Sequence, residues 1–231
     1  MTDNKNYTDL NNFKNRFKCL QNLSKDEISL LKNKKKQLTY LQGETLFKQG
    51  AFAPYVMFII EGLVKVYLQT GSDKQMNIRL SLPGDFLAFS SIFGENVYNY
   101  SAIALKDSTI CMIEKESLKQ LLLKNPEFAM KITSQNYRNE GNLLEIIKNV
   151  TYKQMRGKLA STLIYLSEDV FLKQDVFNYL KRHDIADFAS ISTESTIKFL
   201  KEFEKEGIIK LDGKNIKIED SKKLIDISTK G

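Results

Sequence analysis

The apolar positions change their period along the chain. Between residues 9 and 33, Leu10, Phe13, Phe17, Leu20, Leu23, Ile28 and Leu31 recur at three- to five-residue spacing, the repeat of helix faces. Ser24 followed by Glu27 is a capping box and opens a second short helix there. From 37 to 114 the runs become short and β-rich: VMFII, LVKVYL, MNIRLSL and STICMI, several with strict alternation. Gly43, Gly50, Gly62, Gly71, Gly84 and Gly94 punctuate them, and the spacing predicts turns that need positive φ. VMFIIEGLVKVY at 56–67 reads as a hairpin, GSDK at 71–74 as a second hairpin turn and PGD at 83–85 as another turn. Short strands parted by regular turn signals predict an all-β sandwich or barrel.

The helical period returns after residue 115. ESLKQLLLKN is a short amphipathic helix that stops before Pro126. A long helix follows, from about 127 to 150. Phe128, Ile132, Asn136, Asn139, Leu143, Ile146 and Val150 fall at 4-4-3-4-3-4 spacing, close to the 3.5 repeat of a coiled coil. That seam predicts a dimer whose register the two asparagines would fix; the alternative is a helix packed on its own domain. KQMRGKLASTLIYLSEDV forms another amphipathic helix. RHDIADFAS and TESTIKFLKEFEKEG then make a helix pair, and IIKLDGKNIKI closes the chain as a hairpin turning at Asp212–Gly213.

The pair at 182–206 carries the strongest chemistry. Small Ala186 stands where a second helix would cross, Ile191 plugs the turn, and Ser192 caps the second helix. Thr196, Phe199, Leu200 and Phe203 give that helix an inner face, leaving Thr193, Glu194, Ser195, Lys198, Lys201 and Lys205 outside. Glu194 can accept from a cytosine amino group, and Lys198 can donate to guanine or to a phosphate. Thr193 and Ser195 suit phosphate or base-edge contacts at a helix N-terminus. Lys153, Arg156, Arg182, Lys210 and Lys214 are further candidate phosphate ligands. A hairpin directly after the pair makes it a winged helix-turn-helix. The bland alternative is a three-helix core with a solvated charged face.

Composition narrows the classes without deciding among them. The 231 residues are 42% hydrophobic and 27% charged with a net charge of +7, the profile of an ordinary globular protein. The charge is spread, about +5 over residues 1–150 and +2 over 151–231, so a nucleic-acid partner has to be argued from motifs. No apolar run reaches the ~18 residues of a membrane span, and MTDNKNYTDLNNF lacks the layout of a signal peptide. A cytoplasmic location is the expectation. Cys19 and Cys111 are too few for a disulfide framework.

Several motifs together resemble the Crp/Fnr family of bacterial transcription regulators. They are GETLFKQG at 43–50, VMFIIEGLVKVY at 56–67, PGDFLA at 83–88, NPEFAMK at 125–131, RGKLASTLIYL at 156–166 and IADFASISTESTIKFLKEFEKEGII at 185–209. The resemblance implies an α+β chain with an N-terminal jelly roll (a double-stranded β-helix) that binds cyclic nucleotides in some members. A long dimerisation helix and a C-terminal winged helix-turn-helix follow. Residues 1–150 would be the effector domain with its dimer helix, and 151–231 the DNA-binding domain. A homodimer on a palindromic promoter site is implied, with RNA polymerase as partner if the protein activates; exposed loops at 149–156 or 167–175 are candidate surfaces for it.

The resemblance also locates an effector pocket, DFLAFSSIFGENVYNYSA at 85–102 with the long helix beside it. Its candidate residues are Phe86, Ala88, Phe89, Ser90, Ser91, Tyr98, Tyr100, Ser101, Ala102, Asn139, Leu143 and Leu144. In cyclic-AMP-binding members a Glu holds the ribose and an Arg the cyclic phosphate; those positions are Phe89 and Tyr100 here. The positions that contact adenine are Leu143 and Leu144. No response to cyclic AMP is therefore expected. An iron–sulfur cluster would need four cysteines, and the single histidine, His183, lies outside the sensor domain, so neither that cluster nor haem is expected. Three readings stay open: an apolar or aromatic effector bordered by Phe89, Tyr98 and Tyr100, a pocket filled by its own side chains, or control by expression alone. A metal-dependent barrel enzyme is disfavoured, because 37–114 contains no histidine. GKLAST at 157–162 lacks the glycines of a phosphate loop. A ligand-binding module without a DNA site is the main rival. The family often has Arg where Thr193 and Lys198 stand, which predicts a different DNA consensus.

Overall fold

The computed structural model describes residues 17, 20–28 and 35–231 apart from 73 and 95, and leaves the side chains of 35 and 138–142 undescribed. Leu10, Phe13, Cys19 and Leu31 lie outside it. Two compact units emerge: residues 1–64 with 81–140, and residues 65–80 with 141–231. The break thus falls inside the long helix, not at 150. A segment from the middle of the sequence joins the C-terminal unit.

The first unit is built on strands β1 (Lys35–Tyr40), β2 (Thr45–Phe47), β3 (Tyr55–Gln69), β4 (Gln75–Ser81), β5 (Phe86–Leu87) and β6 (Ser101–Glu114). The sheet order is β1-β6-β3-β4, with β2 also on β6 and β5 on β3. The 14-residue β6 is long enough to pair with both β1 and β2. The distal ends of β3 and β4 form an arm that belongs to the second unit. Val56, Phe58 and Ile60 alternate on one face of β3 and join Phe17, Phe86, Phe89, Cys111, Phe128 and Ile132 in a core cluster. Met57 and Ile59 on the other face are buried as well. The capping box is present: Ser24 N–H donates to Glu27 Oε2 at 2.7 Å, and Glu27 N–H to Ser24 Oγ at 3.2 Å.

One expected turn is absent. VMFIIEGLVKVY is not a hairpin but the body of β3, a single 15-residue strand. Gly62, at φ +107°, lies mid-strand against β6; a Cβ there would stand 2.1 Å from Ser108 Oγ. The glycine is needed for close crossing rather than for reversal. The turns at 71–74 and 83–85 are present: Thr70 N–H donates to Lys74 O at 2.9 Å, and Asp85 N–H to Leu82 O at 3.0 Å.

Helices α1 (Lys115–Lys124) and α2 (Pro126–Tyr152) follow the roll. The C-terminal unit contains α3 (Met155–Leu166), α4 (Asp169–Leu172), α5 (Val176–Tyr179), α6 (Arg182–Ala189), α7 (Thr193–Lys205), the hairpin β7 (Ile209–Asp212) and β8 (Asn215–Ile218), and α8 (Ser221–Lys230). Three elements depart from expectation. Residues 149–152 are helical, the end of α2. Residues 167–175 contain α4, anchored by buried Phe171. The chain does not end on the hairpin; α8, capped by Asp220 accepting from Lys223 N–H, packs on α3.

Candidate nucleic-acid interface and effector pocket

The helix pair forms as its sequence requires. Asp184 accepts from Lys181 N–H at 2.8 Å and caps α6. Ala186 and Ala189 are buried where α7 packs. Ser190 takes the left-handed conformation at φ +52°, and Ser192 Oγ accepts from Ser195 N–H at 3.1 Å to cap α7. Thr196, Leu200 and Phe203 are buried and Phe199 is partly so. Glu194, Lys198 and Lys201 are exposed, with Thr193 and Ser195 half-buried beside them. The Glu194 carboxyl is held below the usual carboxylate range by its own backbone N–H and the Ser192 hydroxyl, which keeps it an acceptor. Lys198 lies 5.6 Å from the Phe199 ring centre and 4.0 Å from Glu202, with 70% of its side chain in solvent.

The flanking cations divide. Lys210 and Lys214 are exposed on the wing. Arg182, half-buried, donates to Gly213 O at 2.8 Å and Lys214 O at 3.2 Å, so it clasps the wing tip to the start of α6; burial pushes its pKa down. Lys153 and Arg156, also candidate phosphate ligands, are engaged by groups of their own unit. Lys153 donates to Ser161 Oγ at 2.7 Å and Ser228 Oγ at 3.1 Å, tying the α2–α3 junction to α8, and burial pushes its amine down. Arg156 makes two bonds to Glu206, at 2.6 and 2.7 Å, over the Phe203 ring. Both serve the fold of the unit because carboxylate and hydroxyl partners stand within reach.

Sequence reasoning missed the partner of α6. Lys65, on the arm, is buried and ion-paired with buried Asp184. Asn77 Nδ2 donates to Asp184 O at 2.9 Å, Gln75 Nε2 to Asp187 Oδ2 at 2.7 Å, and Leu80 N–H to Tyr165 Oη at 2.9 Å. The available signal was a lysine inside LVKVYL, since a charge on an inward strand position demands a partner.

Most residues of the candidate pocket in the roll are buried and bonded to neighbouring groups of the chain. Phe86, Ala88, Phe89, Ser91, Tyr98, Ser101 and Ala102 are buried; Ser90 is exposed. Tyr100 Oη accepts the Ala88 N–H at 2.6 Å, and Ser101 Oγ accepts the Gln49 N–H at 2.9 Å. Ser91 Oγ donates to Ala88 O at 2.7 Å. Tyr98 stacks on Phe47 at 4.2 Å between ring centres, and burial pushes its hydroxyl up to about 12. Leu143 and Leu144 belong to the second unit, where they are 40% and 68% exposed; the Asn139 side chain is not described.

The positions of the expected α2 seam divide between buried and exposed sites. Phe128 and Ile132 are fully buried in the core of the first unit. Asn136 Nδ2 donates back to Ile132 O at 3.0 Å. Ile146 lines a cavity of about 90 Å³ with Ile78, Tyr165 and Phe188. Val150 is half-buried. Leu143, also in the expected seam, is 40% exposed. Met130, Tyr137 and Leu144 recur every seven residues and are exposed, with Ile147 exposed three residues beyond.

Among the described residues no cluster of His, Cys, Asp or Glu could hold a metal ion, and no helix is long and apolar enough to cross a membrane. Residues 37–125 match the family described as cyclic nucleotide-binding domain, and 157–227 the Crp-like helix-turn-helix domain. The chain is 26% identical over 181 residues to the cAMP-activated global transcriptional regulator CRP of Salmonella typhimurium, covering 77% of this chain and 86% of the relative. It is 24% identical over 187 residues to the transcriptional activator protein FnrA of Stutzerimonas stutzeri, covering 78% and 75%. FixK2 from Bradyrhizobium japonicum shares the fold with a TM-score of 0.70 at 17% identity, over 84% of this chain and 96% of its own. The c-di-GMP responsive regulator CLP of Xanthomonas campestris does so with a TM-score of 0.73 at 16% identity, over 84% and 99%. With one family domain matched by the roll, the other by the winged helix pair, and relatives that span both, the chain belongs to the Crp/Fnr family of DNA-binding transcription regulators.

Proposed function

We propose that the protein acts in the cytoplasm as a homodimer on a palindromic promoter site, with α7 in the major groove, and that cyclic AMP does not switch it. The reading rests chiefly on the outer face of α7. Glu194, Lys198 and Lys201 stand toward solvent, with Thr193 half-buried beside them, on a capped helix whose inner face is packed. Groups free to meet base edges on a rigid support are what direct readout needs. Two such helices in a symmetric dimer would lie about one DNA turn apart, ~34 Å. The exposed row Met130, Tyr137, Leu144 and Ile147 is the apolar stripe that would pair the long helices. RNA polymerase is the further partner if the protein activates.

Independence from cyclic AMP rests on the roll. A cyclic phosphate needs a cation or free N–H donors, and leaving it unpaired in a partly buried site costs several kcal/mol. Tyr100 stands at the cation's position and takes the Ala88 N–H for itself. That supports a pocket filled by its own side chains over one held open for a nucleotide. The relatives named cAMP-activated therefore share architecture with this chain but not its switch. Catalysis has no part in the reading.

The test is selection from a randomised duplex library by the purified protein, without and with cyclic AMP. A palindrome enriched equally in both is expected. Salt-sensitive binding with no enriched sequence would overturn sequence-specific recognition and favour a ligand-binding module. Enrichment only with the nucleotide would overturn the second half of the proposal.

A further inference from the structure

Ile197 breaks the inner–outer division of α7. Leu200 and Phe203 are buried and Phe199 is partly so, but Ile197 is 40% exposed. Single surface apolar residues are ordinary; what sets this one apart is its place. At about 100° per residue, Thr193 and Lys198 bound an arc of about 140° on the helix. Ile197 lies inside it, about 40° from both Thr193 and Lys201 and about 60° from Glu194. It is an apolar side chain within the arc of hydrogen-bonding groups, between Thr193 and Lys201.

The major groove offers a matching apolar group in the thymine C5-methyl, which distinguishes T·A from every other pair. We propose that Ile197 reads a thymine methyl in each half-site and fixes a T·A pair next to the pair addressed by Glu194. The proposal rests on the DNA-binding reading above. It adds an apolar determinant to the hydrogen bonds that Glu194 and Lys198 can make. The Ile197 branch is already presented to solvent by a capped helix, so no rearrangement of α7 is required.

Deoxyuridine in place of thymidine removes that methyl and leaves the Watson–Crick pair unchanged. The experiment takes the palindrome selected by the full-length protein and replaces each thymidine of one half-site in turn. Affinity of the unaltered protein is expected to fall about fourfold at one position, the worth of one buried methyl, and to stay level elsewhere. Ile197→Ala should bind thymidine and deoxyuridine duplexes equally at that position, and Ile197→Val should keep most of the discrimination. Both are surface changes, and circular dichroism would verify their helicity. A selected site at which every uridine is neutral, or an Ile197→Ala protein that still discriminates, overturns the assignment while leaving DNA binding intact. Failure to select any site overturns the DNA reading, and this assignment with it.

Discussion

The buried ion pair between the arm and α6 gives the sharpest quantitative test. Lys65 and Asp184 have side chains 6% and 7% exposed, so solvent cannot compensate either charge once the other is lost. Lys65→Met keeps most of the volume and removes the ammonium. Asp184 then keeps the Lys181 N–H at 2.8 Å and the His183 Nε2 at 3.6 Å, but loses the buried ammonium. Breaking one side of such a pair costs about 3–5 kcal/mol. Asp184→Asn keeps an acceptor for the cap but strands the lysine, and should cost a similar amount. The double variant leaves no charge buried, so its cost should fall short of the sum by at least ~2 kcal/mol. Native-state hydrogen exchange at the α6 amides is the assay, because it reports this unit without requiring the whole chain to unfold in one step. Protection should drop about a hundredfold or more in each single variant. A loss below ~1 kcal/mol, or additive single effects, would show that the pair is solvated in solution and that the reasoning from burial fails.

Three further outcomes follow from the same structure. Gly62→Ala should destabilise the roll by about 3 kcal/mol or more, through backbone strain and overlap with Ser108, and Ser108→Gly should restore only part of it; an unchanged urea midpoint would refute the close crossing. Tyr98 titrates at about 12 in the folded protein, mainly because it is buried, against 10.0 ordinarily; its contribution to stability is full below pH 10 and is lost as pH rises toward 12. Tyrosinate absorbance should show that late step and Tyr98→Phe should remove it. On the selected duplex, Lys198→Ala should lose ~1–3 kcal/mol and relax one base pair, whereas Lys214→Ala should weaken all sequences alike and lower the salt slope by ~1; equal behaviour of the two would refute their separate roles.

What the sequence discloses depends on how local the signal is. The caps at Ser24 and Ser192 and the Asp212–Gly213 hairpin are short-range chemistry, and all three are found in place. The order of roll, long helix and winged pair follows from changes of period that each span tens of residues. Gly62 misled because a glycine that ends a strand and one that lets two strands cross look identical until the second strand is known. Phe128 and Ile132 on α2 carry a related ambiguity: they fit a dimer seam as well as they fit a core, and the helix packs them into the core. Helix α8 had a legible start at Asp220, but its two buried positions, Leu224 and Ser228, give little apolar signal. Arg156 could be recognised as a cation, but not as the partner of Glu206, fifty residues away.

The arm also shapes how the protein comes into being. Lys65 precedes Asp184 by 119 residues, so the C-terminal unit is discontinuous in sequence. On the ribosome, the arm has emerged long before the helix it will hold, and must wait for it. A gene fragment starting at residue 141 would encode the winged pair without its counter-charge, with Asp184 deprived of the Lys65 ammonium and Tyr165 of the Leu80 N–H. Such a fragment should fold poorly even though it contains every residue that faces DNA. By the same logic, recombination that exchanged the last ninety or so residues between relatives would have to carry the hairpin of the other half with it. The transferable cassette in this chain has two pieces, and only one of them lies at the C-terminus.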